Sequence, residues 1–215
     1  MREKELNIAV RLEKSVVNGP GTRYVIWVQG CPFRCAGCFN KEFQASIKKE
    51  IFEIEVLAKK ILAVDGIEGV TYTGGEPMTQ AEGLYHLSRI LKKNGLTIAC
   101  YTGFTLEELN DHDDPYIKKL LSLLDILIDG KYEEDKKTNL MWRGSSNQRI
   151  YFLSDAYSQQ DFKELADEKE YSEMELVIGK EGIAFTGILE EKILRSLRAS
   201  STSRSSRLKK NEIET

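Results

Sequence analysis

Three of the four cysteines stand in one short run, Gly30-Cys31-Pro32-Phe33-Arg34-Cys35-Ala36-Gly37-Cys38-Phe39-Asn40, with the spacing C-x-x-x-C-x-x-C. Thiolates this close, on a loop containing Pro32 and Gly37, can converge on one inorganic centre and leave its fourth corner without a nearby protein ligand. Two metals compete for such a loop. A structural zinc takes four closed ligands, with Cys or His pairs brought together from two places in the chain. Here the two histidines, His86 and His112, lie far off and show no paired spacing. A [4Fe-4S] cluster also normally takes four cysteines, but with three it offers one iron to an exogenous ligand. The spacing favours iron-sulfur and leaves zinc or unliganded thiols open. Cys100 ends the apolar run Leu96-Thr97-Ile98-Ala99 and reads as a buried strand thiol.

A second constellation is Thr73-Gly74-Gly75-Glu76-Pro77. Glycines at the end of a strand let a ligand approach backbone carbonyls and amides, proline fixes the exit, and a carboxylate can fix an ammonium. By itself the segment reads first as a strand-to-helix turn with a solvated glutamate, and the three-cysteine loop before it reverses that preference. Tyr101-Thr102-Gly103 and Asp129-Gly130-Lys131 occupy the same kind of place, where parallel α/β sheets and barrels put their chemistry. Asn18-Gly19-Pro20-Gly21 breaks the chain ahead of Arg23, and Arg143-Gly144-Ser145-Ser146-Asn147-Gln148-Arg149 is a donor-rich segment that by composition says only loop.

The cysteine run followed by Thr73-Gly74-Gly75-Glu76-Pro77 resembles the radical S-adenosylmethionine (SAM) superfamily. With Asn18-Gly19-Pro20-Gly21-Thr22-Arg23, Asp129-Gly130-Lys131-Tyr132-Glu133 and Arg143 to Arg149, the five words in this order look like the activating proteins of anaerobic ribonucleoside-triphosphate reductase. The resemblance runs from about Asn7 to Leu153. It implies a [4Fe-4S] cluster on Cys31, Cys35 and Cys38, with SAM completing the open iron and no catalytic residue beyond those ligands. It also implies that Thr73, Gly74, Gly75 and Glu76 hold the amino group of SAM and that Tyr101 and Thr102 lie under its nucleoside. Asp129 belongs to the same face. Gly37 stands where many members carry an aromatic residue, so the adenine contact falls to Phe39. The turn before Arg23 is expected beside the cluster loop, with Arg23 a partner for a carboxylate or for the cluster's charge, and Lys131 for a carboxylate of SAM or of a partner. The implied partners are a glycyl-radical reductase protein and a flavodoxin-like electron donor, under anaerobic conditions. Activation of another glycyl-radical enzyme, modification of a peptide or small molecule, and a non-enzymatic zinc-binding module are the alternatives.

The elements that must position these residues follow from periodicity. A length of 215 residues suits one domain, and 41% hydrophobic and 30% charged residues with net charge −3 give no basic field for nucleic acid. No apolar run approaches the roughly 18 residues that span a bilayer, so a cytoplasmic protein is expected. In that reducing compartment clustered cysteines are metal ligands more often than disulfides. Strands are predicted at Leu6–Val10, Tyr24–Gln29, Gly69–Thr73, Leu96–Tyr101, Asp125–Gly130 and Ile150–Leu153. Helices are predicted at Ile51–Val64, Thr79–Lys93, Thr105–Leu109 (capped by Thr105 and Glu108) and Tyr116–Leu124. This alternation predicts an α/β fold, a partial open (β/α)6 barrel of the radical SAM type over residues 1–153. A C-terminal extension over 154–198 reads as a helix at Gln159–Lys169, a hairpin turning at Gly179-Lys180-Glu181-Gly182 and a helix at Leu189–Leu197. Residues 199–215, basic and Ser-rich, read as a disordered tail.

Overall fold

A computed structural model describes residues 5–162, 173–179 and 182–188. In chain order the elements are β1 (Glu5–Ser15), β2 (Arg23–Val28), β3 (Glu50–Glu53), α1 (Ile54–Leu62), β4 (Gly69–Gly74), α2 (Ala81–Lys93), β5 (Thr97–Tyr101), α3 (Leu106–Asn110), α4 (Pro115–Leu121), β6 (Ile126–Asp129), β7 (Lys137–Leu140), β8 (Arg143–Ser145), β9 (Arg149–Phe152), β10 (Glu173–Gly179) and β11 (Gly182–Ile188). Seven strands form one sheet in the order β3-β1-β2-β4-β5-β6-β9. The middle four run parallel, while β1 and β9 close on them antiparallel.

The parallel run is what positions a site. Each of β2, β4, β5 and β6 is an apolar, β-branched stretch buried on both faces, as parallel strands must be. In register their ends fall side by side, with Val28 opposite Gly74 and Tyr101 opposite Ile128. The loops that follow, which carry the cysteines, Gly-Gly-Glu-Pro, Tyr-Thr-Gly and Asp-Gly-Lys, therefore gather at one edge. On one face Ile26, Tyr72, Ile98 and Leu127 pack under Leu57, Leu84, Leu87 and Leu120 of the helices, and Cys100 lies fully buried among them. On the other, Ala99, Ile126 and Ile128 pack with Met141 and Trp142, joined by Phe152, Tyr157 and Phe162.

The α/β class is as the alternation predicts; among the described residues four strands of the sheet run parallel. Other boundaries move for physical reasons. Ile51 does not begin a helix: Glu50–Glu53 pairs with Glu5–Ile8 as an edge strand, Phe52 facing in and Ile51 out, and the helix starts at Ile54. β1 reaches Ser15, well past Val10, because its second half needs pairing with β2 on one side only and so carries charged residues. Arg143–Ser145, read as loop, pairs with Lys137–Leu140. Thr105 and Glu108 form the expected reciprocal cap of α3, and β10 and β11 form the expected hairpin. A 3-10 turn at Gln159–Asp161 is the described part of the segment read as a helix to Lys169; the helix at 189–197 and the tail from 199 lie outside the described residues. No helix among the described residues is long and apolar enough to cross a membrane.

Candidate functional site

The cysteine turn is held by backbone bonds from a later segment. Gly30 N–H donates to Phe43 O (2.8 Å) and Cys31 N–H to Gln44 O (3.2 Å), while Cys38 N–H closes on Cys35 O (3.3 Å). Arg34 lies in the left-handed region at φ 53°, which a non-glycine residue rarely adopts. Its guanidinium fixes it there by donating to Cys31 O (2.8 Å) and to Gln44 O. Gly37 takes φ 69°, and a Cβ there would lie 2.7 Å from the Glu134 carboxyl carbon. All three thiols are free and half-buried. Burial raises Cys31 and Cys35 above the ordinary thiol range, and the neighbouring sulfurs add to this; the Tyr132 backbone amide pulls Cys35 the other way.

The Gly-Gly-Glu-Pro loop is stitched to that turn: Gly75 N–H donates to Val28 O and Glu76 N–H to Gly30 O, both at 2.8 Å. Glycine is required at position 75, where any Cβ would overlap the Gly30 carbonyl. Asn40 Nδ2 reaches Gly74 O at 3.4 Å, tying the far end of the cysteine run to the same loop.

Glu76 plays a different part from the one expected. Its carboxylate is buried and engaged, Oε1 accepting from Met78 N–H (2.9 Å) and Thr102 Oγ1 (2.8 Å), and Oε2 from Gly103 N–H (2.7 Å). It knots the loop after β4 to the loop after β5. Burial pushes its pKa up to about 7, against the pull of these three donors. The same bonds occupy Thr102, which is buried and also accepts from Phe104 N–H (3.2 Å). Gly103 makes room for Phe33, whose ring lies 2.5 Å from where a Cβ would stand. Phe33 packs edge-on against Phe104 with centroids 4.7 Å apart, and Lys131 Nζ lies 4.7 Å from its ring centre. Tyr101 is half-buried against the second core cluster, and Phe39 is 47% exposed beside Cys38.

Asp129 is likewise buried and fully used. It accepts from Leu106 N–H (2.7 Å) and from Arg149 Nε (3.1 Å) and Nη2 (2.6 Å), while Arg149 also pairs with Glu107. It positions the loop after β6. Arg23 is at the wrong end of the sheet: it opens β2, and its buried guanidinium donates to Thr71 Oγ1 (2.7 Å), Val70 O (2.8 Å) and Pro20 O (3.0 Å). The turn before it therefore lies opposite the cysteines.

Sequence reasoning missed two parts of the site. The segment 43–44 that holds the cysteine turn carries no motif, because it acts through backbone carbonyls. Glu134, which packs on Gly37, lies just beyond Asp129-Gly130-Lys131-Tyr132-Glu133, the stretch that the sequence had singled out.

The donor set fits a cluster better than a single ion. A zinc closed by the protein needs a fourth ligand beside three thiolates, whereas three cysteines can hold a [4Fe-4S] cluster with one corner left over. The one carboxylate buried next to Cys31, Glu76, is consumed by its three donors. His112 Nδ1 accepts from Asp114 N–H and His86 packs against Tyr85.

Residues 17–151 match the family model described as a 4Fe-4S single cluster domain. The chain is similar to the anaerobic ribonucleoside-triphosphate reductase-activating protein of Enterobacteria phage T4, with 32% identity over 151 residues, covering 67% of this chain and 93% of the relative. It is similar to the protein of the same name from Pasteurella multocida (strain Pm70), with 37% identity over 146 residues, 63% of this chain and 90% of the relative. Among solved structures it is similar to QueE from Escherichia coli at 24% identity, over 47% of this chain and 53% of that one, with a TM-score of 0.37.

Proposed function

The chain belongs to the anaerobic ribonucleoside-triphosphate reductase-activating protein family, with a 4Fe-4S single cluster domain at residues 17–151, and from that premise we propose that it is a radical SAM activase of a glycyl-radical reductase. Cys31, Cys35 and Cys38 hold the [4Fe-4S] cluster, and SAM takes the remaining corner. So bound, the cluster would supply one-electron chemistry, fed by an external reductant, for cleaving SAM and so activating a backbone glycine of the reductase.

The observation that carries this reading is the stitching of the cysteine turn to the Gly-Gly-Glu-Pro loop by two backbone bonds. It fixes the three thiols beside a side-chain-poor loop, Thr73-Gly74-Gly75, whose backbone is suited to the amino acid part of SAM. Tyr101 and Phe39 are the remaining side chains for the nucleoside. Glu76, Thr102 and Asp129 act behind them by holding the loops in place. Residues 1–153 form the core, read as a partial open barrel whose uncovered edge admits a loop of the reductase; 154–198 extend it. The electron comes from a flavodoxin-like carrier in the cytoplasm.

Anaerobic reconstitution with iron and sulfide, then dithionite and SAM, tests the chemistry. The wild type should be brown with about four irons per chain and release 5′-deoxyadenosine, while Cys35→Ala falls to background. Addition of the reductase should give a glycyl signal by electron paramagnetic resonance. A colourless protein with one zinc per chain sinks the reading.

A further inference from the structure

The word Arg143-Gly144-Ser145-Ser146-Asn147-Gln148-Arg149 touches none of the three thiols in its described bonds, yet four of those bonds end on one neighbouring loop. Gln148 Nε2 donates to Gly130 O (3.0 Å) and Asn147 Nδ2 to Lys131 O (2.8 Å). Ser145 Oγ accepts from Glu133 N–H (3.2 Å), and Ser146 N–H donates to Lys136 O (2.8 Å). The word is itself folded for this task, because Gln148 Oε1 turns back to accept from Gly144 N–H (2.8 Å) and Ser145 N–H (3.2 Å). Trp142, just before it, is forced to φ 56° to start the turn.

The loop so gripped is the one that lies on the cysteine turn. Glu134 packs on Gly37, Lys131 covers Phe33, and the Tyr132 amide points at the Cys35 sulfur. We infer that Ser145, Asn147 and Gln148 are positioning residues: they clamp residues 130–136 over the cysteine turn and thereby set the surroundings of the Cys35 thiolate. This rests on the cluster proposed above. An amide donating to a ligating sulfur and a nearby ammonium both favour the more negative, reduced cluster, so both raise its reduction potential.

Two measurements on Asn147→Ala and Gln148→Ala decide the matter. In the cluster-free chain, amide hydrogen exchange in residues 130–136 should run about tenfold faster than in wild type, with β4 and β5 unchanged. In the anaerobically reconstituted proteins the iron content should equal that of wild type, while the midpoint potential, followed by electron paramagnetic resonance during a redox titration, moves to more negative values. Wild-type exchange and wild-type potential in both variants overturn the inference. So does a shifted potential with unchanged exchange, which means that the word acts on the site directly. If wild type itself takes up no cluster, the proposed function fails, while the exchange comparison still decides whether the clamp exists.

Discussion

A carboxylate shut away from water and given three hydrogen-bond donors is pulled in two directions, and Glu76 is such a group. Burial wins, so its folded pKa of about 7 stands above the ordinary carboxylate value of the unfolded chain. A raised folded pKa means that the group's contribution to stability is full below the unfolded value and is lost as pH rises through about 7. The gap between the two values corresponds to about 3 kcal/mol. Urea unfolding of the cluster-free chain should therefore show wild type losing stability relative to Glu76→Gln between pH 5 and pH 8; a constant difference between the two proteins over that range defeats the argument. The example also marks what single residues disclosed in advance. Cys31, Cys35 and Cys38 were legible because spacing alone limits what three thiols can do. Glu76, Thr102 and Asp129 were placed at the sheet edge, but their bonds to other loops were not foreseen. Their partners, Gly103 N–H, Leu106 N–H and Arg149, come from other loops, and a sequence does not show which donors fold onto a carboxylate.

At the scale of elements, Arg149 is the joint between β6, α3 and β9. It opens β9 opposite Asp129, bonds that carboxylate through two nitrogens, and reaches Glu107 in the first turn of α3. Replacing it with alanine leaves the buried Asp129 with only Leu106 N–H. A fully buried orphaned charge costs about 3–5 kcal/mol, but Arg149 is 43% exposed and water can reach the gap. A loss of about 2 kcal/mol is expected, lowering the thermal midpoint by about 4–8 °C. Arg149→Lys should recover only part of this, since an ammonium cannot reproduce the two-pronged geometry. Calorimetry of the three proteins checks the order, and equal midpoints for wild type and Arg149→Ala would remove the joint. The strands it links were plain in the sequence, because Asp125-Ile126-Leu127-Ile128 and its parallel neighbours are unbroken apolar runs. β3, β7 and β8 were not, being three- or four-residue edge pieces whose pairing comes from a distant partner rather than from their own composition.

Across the whole molecule the two ends of the parallel strands have separate tasks. The cysteines and the loops bonded to their turn sit at the strand ends, whereas residues from Leu153 onward grip the strand starts. Leu153 N–H donates to Asp125 O (2.8 Å) and Ser154 Oγ bonds the Asp125 carboxylate; the Tyr157 hydroxyl meets Thr97 Oγ1 (3.0 Å), and Thr186 Oγ1 donates to Asn18 Oδ1 (3.1 Å). Phe162 adds an apolar hold, stacked 5.8 Å from Phe152 and edge-on 5.1 Å from Trp142. The family model stops at residue 151, and the matched relatives have only 7–10% of their length left uncovered. Ending the chain after Leu153 should therefore lower the thermal midpoint by several degrees, since Phe162 alone contributes about 1–3 kcal/mol by the usual cost of deleting a half-buried ring. Iron uptake below that midpoint should match the full chain, because the bonds that fix the cysteine turn come from Phe43, Gln44, Gly75 and Glu76 at the other end of the sheet. Phe162→Ala should give part of the loss in midpoint and none in iron. Iron lost from the shortened chain while it is still folded would mean that Trp142, released from Phe162, carries the damage through Arg143 to the loop over Cys35, and that the two ends of the strands are not independent.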